Sequence, residues 1–126
     1  MSRKSETGRL GEEFVAKYLE EHGYRIAARN YRIRGGEIDI IAENGSYIAF
    51  VEVKSRKPDS MVSGFEAITE RKRGLIIKTA SDYCIKNPTQ LQPRFDIAQV
   101  TVKGSTVLSV QYIANAYDTT GYKFIF

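Results

Sequence analysis

The segment Gly36–Arg56, GEIDIIAENGSYIAFVEVKSR, constrains the fold more than any other part of the chain. Two apolar runs flank Asn44-Gly45, the strongest short hairpin signal, because both central residues of a type I′ turn need positive φ. A turn centred there sets Glu43 opposite Ser46. Ile41 then faces Ile48, Asp39 faces Phe50 and Glu37 faces Glu52. Side chains alternate across a strand. One face carries Ile38, Ile40 and Ala42 with Tyr47, Ala49, Val51 and Val53, which is a core face. The other carries Ile41, Ile48 and Phe50 near the turn, and Glu37, Asp39, Glu52 and Lys54 at the far end. Both faces are apolar near the turn, so the hairpin is expected to be covered on both sides.

The charges at the far end demand a reason. Like charges directly opposite one another destabilise a strand pair, and Asp39 lies diagonal to Glu52 at roughly 7–8 Å. Three carboxylates at the rim of a core repel and lose solvation. Lys54, two residues along from Glu52 on the same face, is one source of compensation. A divalent cation is the other, since Mg²⁺ or Mn²⁺ takes carboxylate oxygens and keeps several waters. A cation held by Asp39 and Glu52 beside a lysine suits phosphate chemistry. A surface ion-pair network at a strand end accounts for the same residues on spacing alone.

The rest of the chain frames this hairpin. Ser5–His22 has helical spacing, with Leu10, Phe14 and Tyr18 beside Gly11, Val15 and Leu19 on one face. Ser5 or Thr7 can cap it and Gly23 can end it. At 100° per residue Glu12 falls at the border of the apolar face and can reach the body of the protein, while Glu13 points to solvent. YRIAARNYRI holds a short strand, followed by a corner at Arg34–Gly36. Lys57–Phe65 reads as a loop. A second helix runs from Glu70 to Lys86 with Thr69 as its cap, Asn87–Pro93 is a loop, and a second hairpin turns at Lys103-Gly104. The tail NAYDTTGYKFIF, if extended, sets Tyr122, Phe124 and Phe126 on one side, for packing on the sheet or for a homodimer contact. The expectation is α/β: a mixed central sheet flanked by helices, in one domain spanning residues 1–126.

Composition narrows the class. Of 126 residues, 42% are hydrophobic and 27% charged, which is a globular balance. The single cysteine, Cys84, forms no internal disulfide, and with one histidine, His22, a Cys–His nucleophile is not indicated; a small buried side chain is the favoured reading. No apolar run is long enough to span a bilayer, and the first ten residues have no apolar core of a signal peptide, so a cytoplasmic protein with no membrane partner is expected. The net charge of +4 is a mild bias toward polyanions.

An acid on one strand, a hairpin, then Glu52-Val53-Lys54 on the next resembles the PD-(D/E)XK nuclease superfamily, with Ile38 standing where the motif has proline. The combination of GRLGEEFVAKYLEEHGYRIAARNYRIRGGEIDIIA with FVEVKSR, AITERKR, RFDIAQV and IANAY resembles the bacterial YraN-like family over nearly the whole chain. That family is similar in layout to Holliday junction resolvases, which also carry a glutamate on the first helix, where Glu12 stands here.

The resemblance implies a restriction-endonuclease-like fold and metal-dependent hydrolysis of phosphodiester bonds, with branched DNA as one substrate and DNA ahead of RNA. Asp39 and Glu52 would hold Mg²⁺ or Mn²⁺ with the Val53 carbonyl, Lys54 would orient water or stabilise developing charge, and Glu12 would complete the catalytic set. A non-catalytic nucleic-acid-binding module on the same fold is the alternative. Glu37 is open between ligand, supporting group and an ion pair with Arg34 or Arg56. Asp96 reads as a structural partner for a nearby arginine or backbone N–H. Arg34, Arg56 and Lys57 at the acidic end could grip phosphates. Arg71, Lys72 and Arg73 open a helix against its dipole, which suits either a phosphate or a solvated face balanced by Glu66 and Glu70.

Overall fold

The computed structural model describes residues 4–59 and 69–122. The elements follow the order α1 (Glu6–Glu21), β1 (Arg25–Ile33), β2 (Gly36–Glu43), β3 (Tyr47–Arg56), α2 (Glu70–Lys86), β4 (Gln92–Lys103) and β5 (Thr106–Tyr117). The strands form one sheet in the order β1-β2-β3-β4-β5. Only β3 and β4 run parallel; the other neighbours are antiparallel. A parallel pair needs a crossover, and α2 lies within it. This is the expected mixed sheet with helices on its faces, an arrangement compatible with a restriction-endonuclease-like fold.

Both helices begin on caps expected from the sequence, and α1 ends at the expected glycine. Ser5 Oγ accepts the Gly8 N–H at 3.0 Å, and Thr69 Oγ1 accepts the Lys72 N–H at 3.2 Å. At the end of α1, Gly23 takes φ +88. Tyr24 N–H then donates to Leu19 O and Gly23 N–H to Glu20 O, a Schellman closure. α1 packs Val15, Ala16 and Leu19 against Ile40, Ala49 and Val51 on one face of the sheet. α2 packs Ile76, Ile77 and Ala80 against Ile41, Ile48 and Phe50 on the other. Phe14, expected on the apolar face of α1, is 41% exposed instead.

Two glycines let the helices press close. A Cβ on Gly11 of α1 would stand 1.9 Å from Ser55 Oγ in β3, and one on Gly36 of β2 would stand 2.0 Å from Thr79 Oγ1 in α2. Each glycine is a direct neighbour of an acid, Glu12 or Glu37.

The central hairpin departs from the expected register. Neither Asn44 nor Gly45 has positive φ, so no type I′ turn forms. The Asn44 side-chain oxygen accepts from the backbone N–H groups of Ser46 and Tyr47, and Asn44 N–H donates to Tyr47 O. This local bonding lengthens the loop and pairs Glu43 with Ile48. The register moves by two residues, which preserves the faces but removes the expected pairing of Glu37 with Glu52.

A second departure lies at the far end. Ile38 packs with the α2 cluster, whereas Ile40 packs with the α1 cluster. Strict alternation would have put both on the face of Ile40. The β1 ladder pairs Arg29 with Ile40 and Tyr31 with Ile38 but leaves Asn30 and Asp39 between them unpaired. Asn30 sits there at φ +53, a left-handed conformation that asparagine tolerates. The break coincides with the end of the β2–β3 ladder at Ile40–Val51.

The tail also differs from an extended strand. Beyond β5 the chain turns, and Tyr122 OH donates to Glu70 O at the start of α2. The expectations for Phe124, Phe126, Glu66 and most of the Lys57–Phe65 loop lie outside the described residues.

Candidate functional site

The break in β2 turns Asp39 toward β3. Its Oδ2 accepts the Val53 N–H at 2.8 Å, in the stretch where the strand ladder has ended. Its Oδ1 accepts from Lys4 Nζ at 2.9 Å. Lys4 Nζ also lies 2.7 Å from Glu12 Oε2 and 3.8 Å from Glu37 Oε1. The chain thus draws acids from α1 and β2 around one ammonium just before the α1 cap.

Glu52 lies next along, on the α2 side. Lys72 Nζ of α2 stands 3.0 Å from Glu52 Oε1, and Lys54 Nζ stands 3.6 Å from the same oxygen. Glu12, Asp39 and Glu52 are 4%, 6% and 7% exposed, so all three are buried. Glu37, Asp39, Glu52, Arg71 and Lys72 line one cleft of about 290 Å³, which also touches Gly35, Gly36 and the Thr69 cap.

The electrostatics follow from this crowding. Burial pushes the Glu52 carboxyl above the usual range; Asp39 adds to the rise, and Lys72 and Lys54 oppose it. Burial also raises Glu12, Asp39 adds to that, and Lys4 opposes it. Asp39 therefore links the two electrostatically. For Lys4, burial works against the charge, but the bonds to Glu12 and Asp39 outweigh it and the pKa rises. The two lysines on Glu52 split: burial and the neighbouring Lys72 lower Lys54, whereas the carboxylate outweighs burial at Lys72 and raises it.

The four acids and bases expected from sequence, Glu12, Asp39, Glu52 and Lys54, converge at this end of the sheet. Among the described residues no three of the His, Cys, Asp and Glu side chains are gathered as a metal-binding group. Ammoniums lie against the acids instead. Glu37 pairs with Arg32 at 2.6 Å, not with Arg34 or Arg56. The three cations at the start of α2 part company. Lys72 turns onto Glu52, Arg71 lines the cleft, and Arg73 lies over the Tyr117 ring at 5.1 Å. Arg34 and Lys57 are exposed and Arg56 is half-buried. Glu13 points outward as expected and pairs with Arg29.

Two residues of the cluster were not foreseen. Lys4 had no periodic signal, because it precedes the helix. Asn30 had only its tolerance of positive φ as a clue. Asp96 took the expected structural role. It is fully buried, accepts from Nε and Nη2 of Arg94, and also accepts from Tyr112 OH and the Asn115 N–H. Asn115, at φ +55, sits where β5 bulges between the pairs Phe95–Tyr117 and Ile97–Ile113.

Comparison with known proteins relates the chain to a family. The family model described as uncharacterised protein family UPF0102 matches residues 11–100. A UPF0102 protein of Alkaliphilus metalliredigens is 41% identical over 87% of this chain and 96% of its own length. One from Syntrophus aciditrophicus is 45% identical over 82% of each chain, and one from Legionella pneumophila is 37% identical over 90% of this chain and 95% of its own. The match to the family begins at Gly11, beside Glu12, and spans Asp39, Glu52, Lys54 and Lys72.

Proposed function

The chain belongs to the UPF0102 family, and from that footing we propose that it is a metal-dependent nuclease of the PD-(D/E)XK superfamily that hydrolyses phosphodiester bonds of nucleic acid in the cytoplasm. The observation that carries the reading is a row of three buried carboxylates from three elements: Glu12 and Asp39 share Lys4, Asp39 acts on Glu52, and Glu52 faces the lysine pair Lys54 and Lys72. Burying acids is unfavourable unless cations face them, and Asp39 and Glu52 on one cleft beside Arg71 and Lys72 suit a site that handles charge.

The donor set fits a hard divalent cation. Asp39 and Glu52 offer carboxylate oxygens, and each already faces a positive charge, Lys4 or Lys72. These two acids, with the Val53 carbonyl, would hold Mg²⁺ or Mn²⁺. When bound, such an ion polarises a phosphoryl oxygen and lowers the pKa of water. Lys54, its own pKa lowered by burial and Lys72, can pass a proton to or from water or stabilise charge on the phosphoryl oxygen. Lys72 stays charged and keeps Glu52 oriented. Arg71, on the cleft wall, can bind a flanking phosphate. The substrate proposed is DNA ahead of RNA, with branched DNA the leading form, and a homodimer would suit a two-fold substrate.

One observation favours the alternative of a binding module that does not cut: Lys4 and Lys72 already supply countercharge to the acids. A cleavage panel of single-stranded, duplex, flap and four-way-junction DNA, with RNA counterparts, separates the two. Wild type is expected to cut at least one member with Mg²⁺ or Mn²⁺ and not in EDTA, and Glu52→Ala to lose at least about 100-fold. Binding without cutting supports the module, and equal cutting by both proteins signals a contaminant.

A further inference from the structure

Lys4 holds one oxygen of each of two buried acids at the site, Asp39, a proposed cation ligand, and its neighbour Glu12. The second oxygen of Asp39, Oδ2, already accepts the Val53 N–H, so among the described residues Oδ1 is the oxygen with no backbone bond to share with a cation. That is the atom that Lys4 Nζ contacts at 2.9 Å. On the other side Lys4 contacts Glu12 Oε2 at 2.7 Å, and among the described residues no other cation lies within ion-pair range of Glu12.

We infer that the Lys4 ammonium is an internal competitor for the divalent cation, seated between Glu12 and Asp39 and displaced when the ion binds. The inference rests on the metal-dependent reading above and adds a control to that site. Its geometry suits a removable group. Lys4 lies outside α1, one residue before the Ser5 cap, so its side chain can leave without unwinding the helix. Its side chain is 23% exposed, against 5% for Glu12 and 8% for Asp39, so the lysine forms the solvent side of the pair. It opens onto a basin of about 490 Å³ lined by Arg9, Glu13, Arg29 and Asn30. Arg29 is paired there with Glu13 and does not take the place of Lys4. The third neighbouring acid, Glu37, lies 3.8 Å away and is held by Arg32.

A competitor of this kind lowers apparent ion affinity by the fraction of molecules in which the site is free. It also supplies the counter-charge when no ion is present. The two roles give opposite signs when Lys4 is removed, and a purely structural lysine would show only the second.

Mn²⁺ alone, titrated by calorimetry into wild type, Lys4→Met and Asp39→Asn, tests this without nucleic acid. Lys4→Met is expected to bind Mn²⁺ about 10-fold or more tightly than wild type. It should melt below wild type in EDTA and recover more than wild type when Mn²⁺ is added. Equal or weaker binding by Lys4→Met, with binding lost in Asp39→Asn, overturns the competition and leaves the metal site standing. Binding by neither wild type nor Lys4→Met overturns the metal reading and the competition with it. If Lys4→Met does not fold, the wild-type lysine Nζ resonances decide. With Mg²⁺ added until the Val53 amide stops shifting, an unmoved Lys4 signal overturns the proposal, and a Lys4 signal that moves with Val53 supports it.

Discussion

Two buried acidic regions of this molecule solve the same electrostatic problem in different ways. At Asp96, one carboxylate meets four donors: Nε and Nη2 of Arg94, the Tyr112 hydroxyl and the Asn115 amide. It is wholly closed from solvent, and Arg94 is itself held by Tyr24 OH and stacked near Tyr47. At the other end of the sheet, Glu12, Asp39 and Glu52 share three ammoniums at 2.7–3.6 Å, two of the acids are raised by burial, and a cleft opens beside Asp39 and Glu52. A saturated carboxylate stitches strands together. An under-compensated cluster at a cleft stores electrostatic cost that a ligand can relieve, which is why perturbed groups mark candidate sites.

The sharpest way to break this comparison is to truncate one acid from each region. Asp96→Ala strands a buried guanidinium, a hydroxyl and an amide, and is expected to cost roughly 3–5 kcal/mol. Glu52→Ala removes a carboxylate that burial already disfavours and leaves behind Lys54 and Lys72, whose ammoniums water can reach, so in EDTA it is expected to cost clearly less than Asp96→Ala. Urea unfolding measures both. Equal losses would make the cluster another structural stitch.

Helix α1 offers a smaller and more local perturbation. Gly11→Ala forces a Cβ against Ser55, and overpacking of this kind costs roughly 1–3 kcal/mol. Because α1 carries Glu12, its displacement should reach Asp39 and leave Asp96 alone. Two amides report on this: Val53, bonded to Asp39, and Asn115, bonded to Asp96. The Val53 resonance is expected to shift and the Asn115 resonance to stay. Equal shifts would show that the two regions are mechanically one.

The same contrast explains what could be read from the residues alone. The α2 limits, Glu70 to Lys86, followed from a Thr69 cap and a helical pattern, both local. The face of Glu52 and Lys54 survived an error in the turn, because a register shift of two leaves the alternation intact. What was hidden needed the third dimension. The Asn44 carboxamide competes for two backbone amides, which a dipeptide signal does not encode. The phase break at Asn30 and Asp39 moved Ile38 to the other face. Lys72 read as either a phosphate-binding cation or part of a solvated face, and its pairing with Glu52 came only with the packing of α2. Asp96 was legible in role because a strand-embedded acid has few other options, although Tyr112 and Asn115, far along the chain, could not be named.

Acid titration gives the smallest effect and tests the cluster's electrostatic strain directly. Glu12 and Glu52 have folded pKa values above 4.5, with burial the leading cause. Between 4.5 and those raised values the folded protein holds protons that the unfolded chain has released. Stability must then fall as pH rises through that window. Put the other way, the contribution of these two groups is fully present below 4.5 and is lost above their folded values, where two buried charges stand without full compensation. Urea midpoints in EDTA, taken at steps from pH 7 to pH 4.5, isolate it by difference. Glu12→Gln and Glu52→Gln should each flatten the slope relative to wild type across that window, because an amide binds no proton there. A slope unchanged in both variants would mean that the ammoniums of Lys4, Lys54 and Lys72 compensate the cluster as fully as Arg94 compensates Asp96, and the distinction between the two regions would collapse.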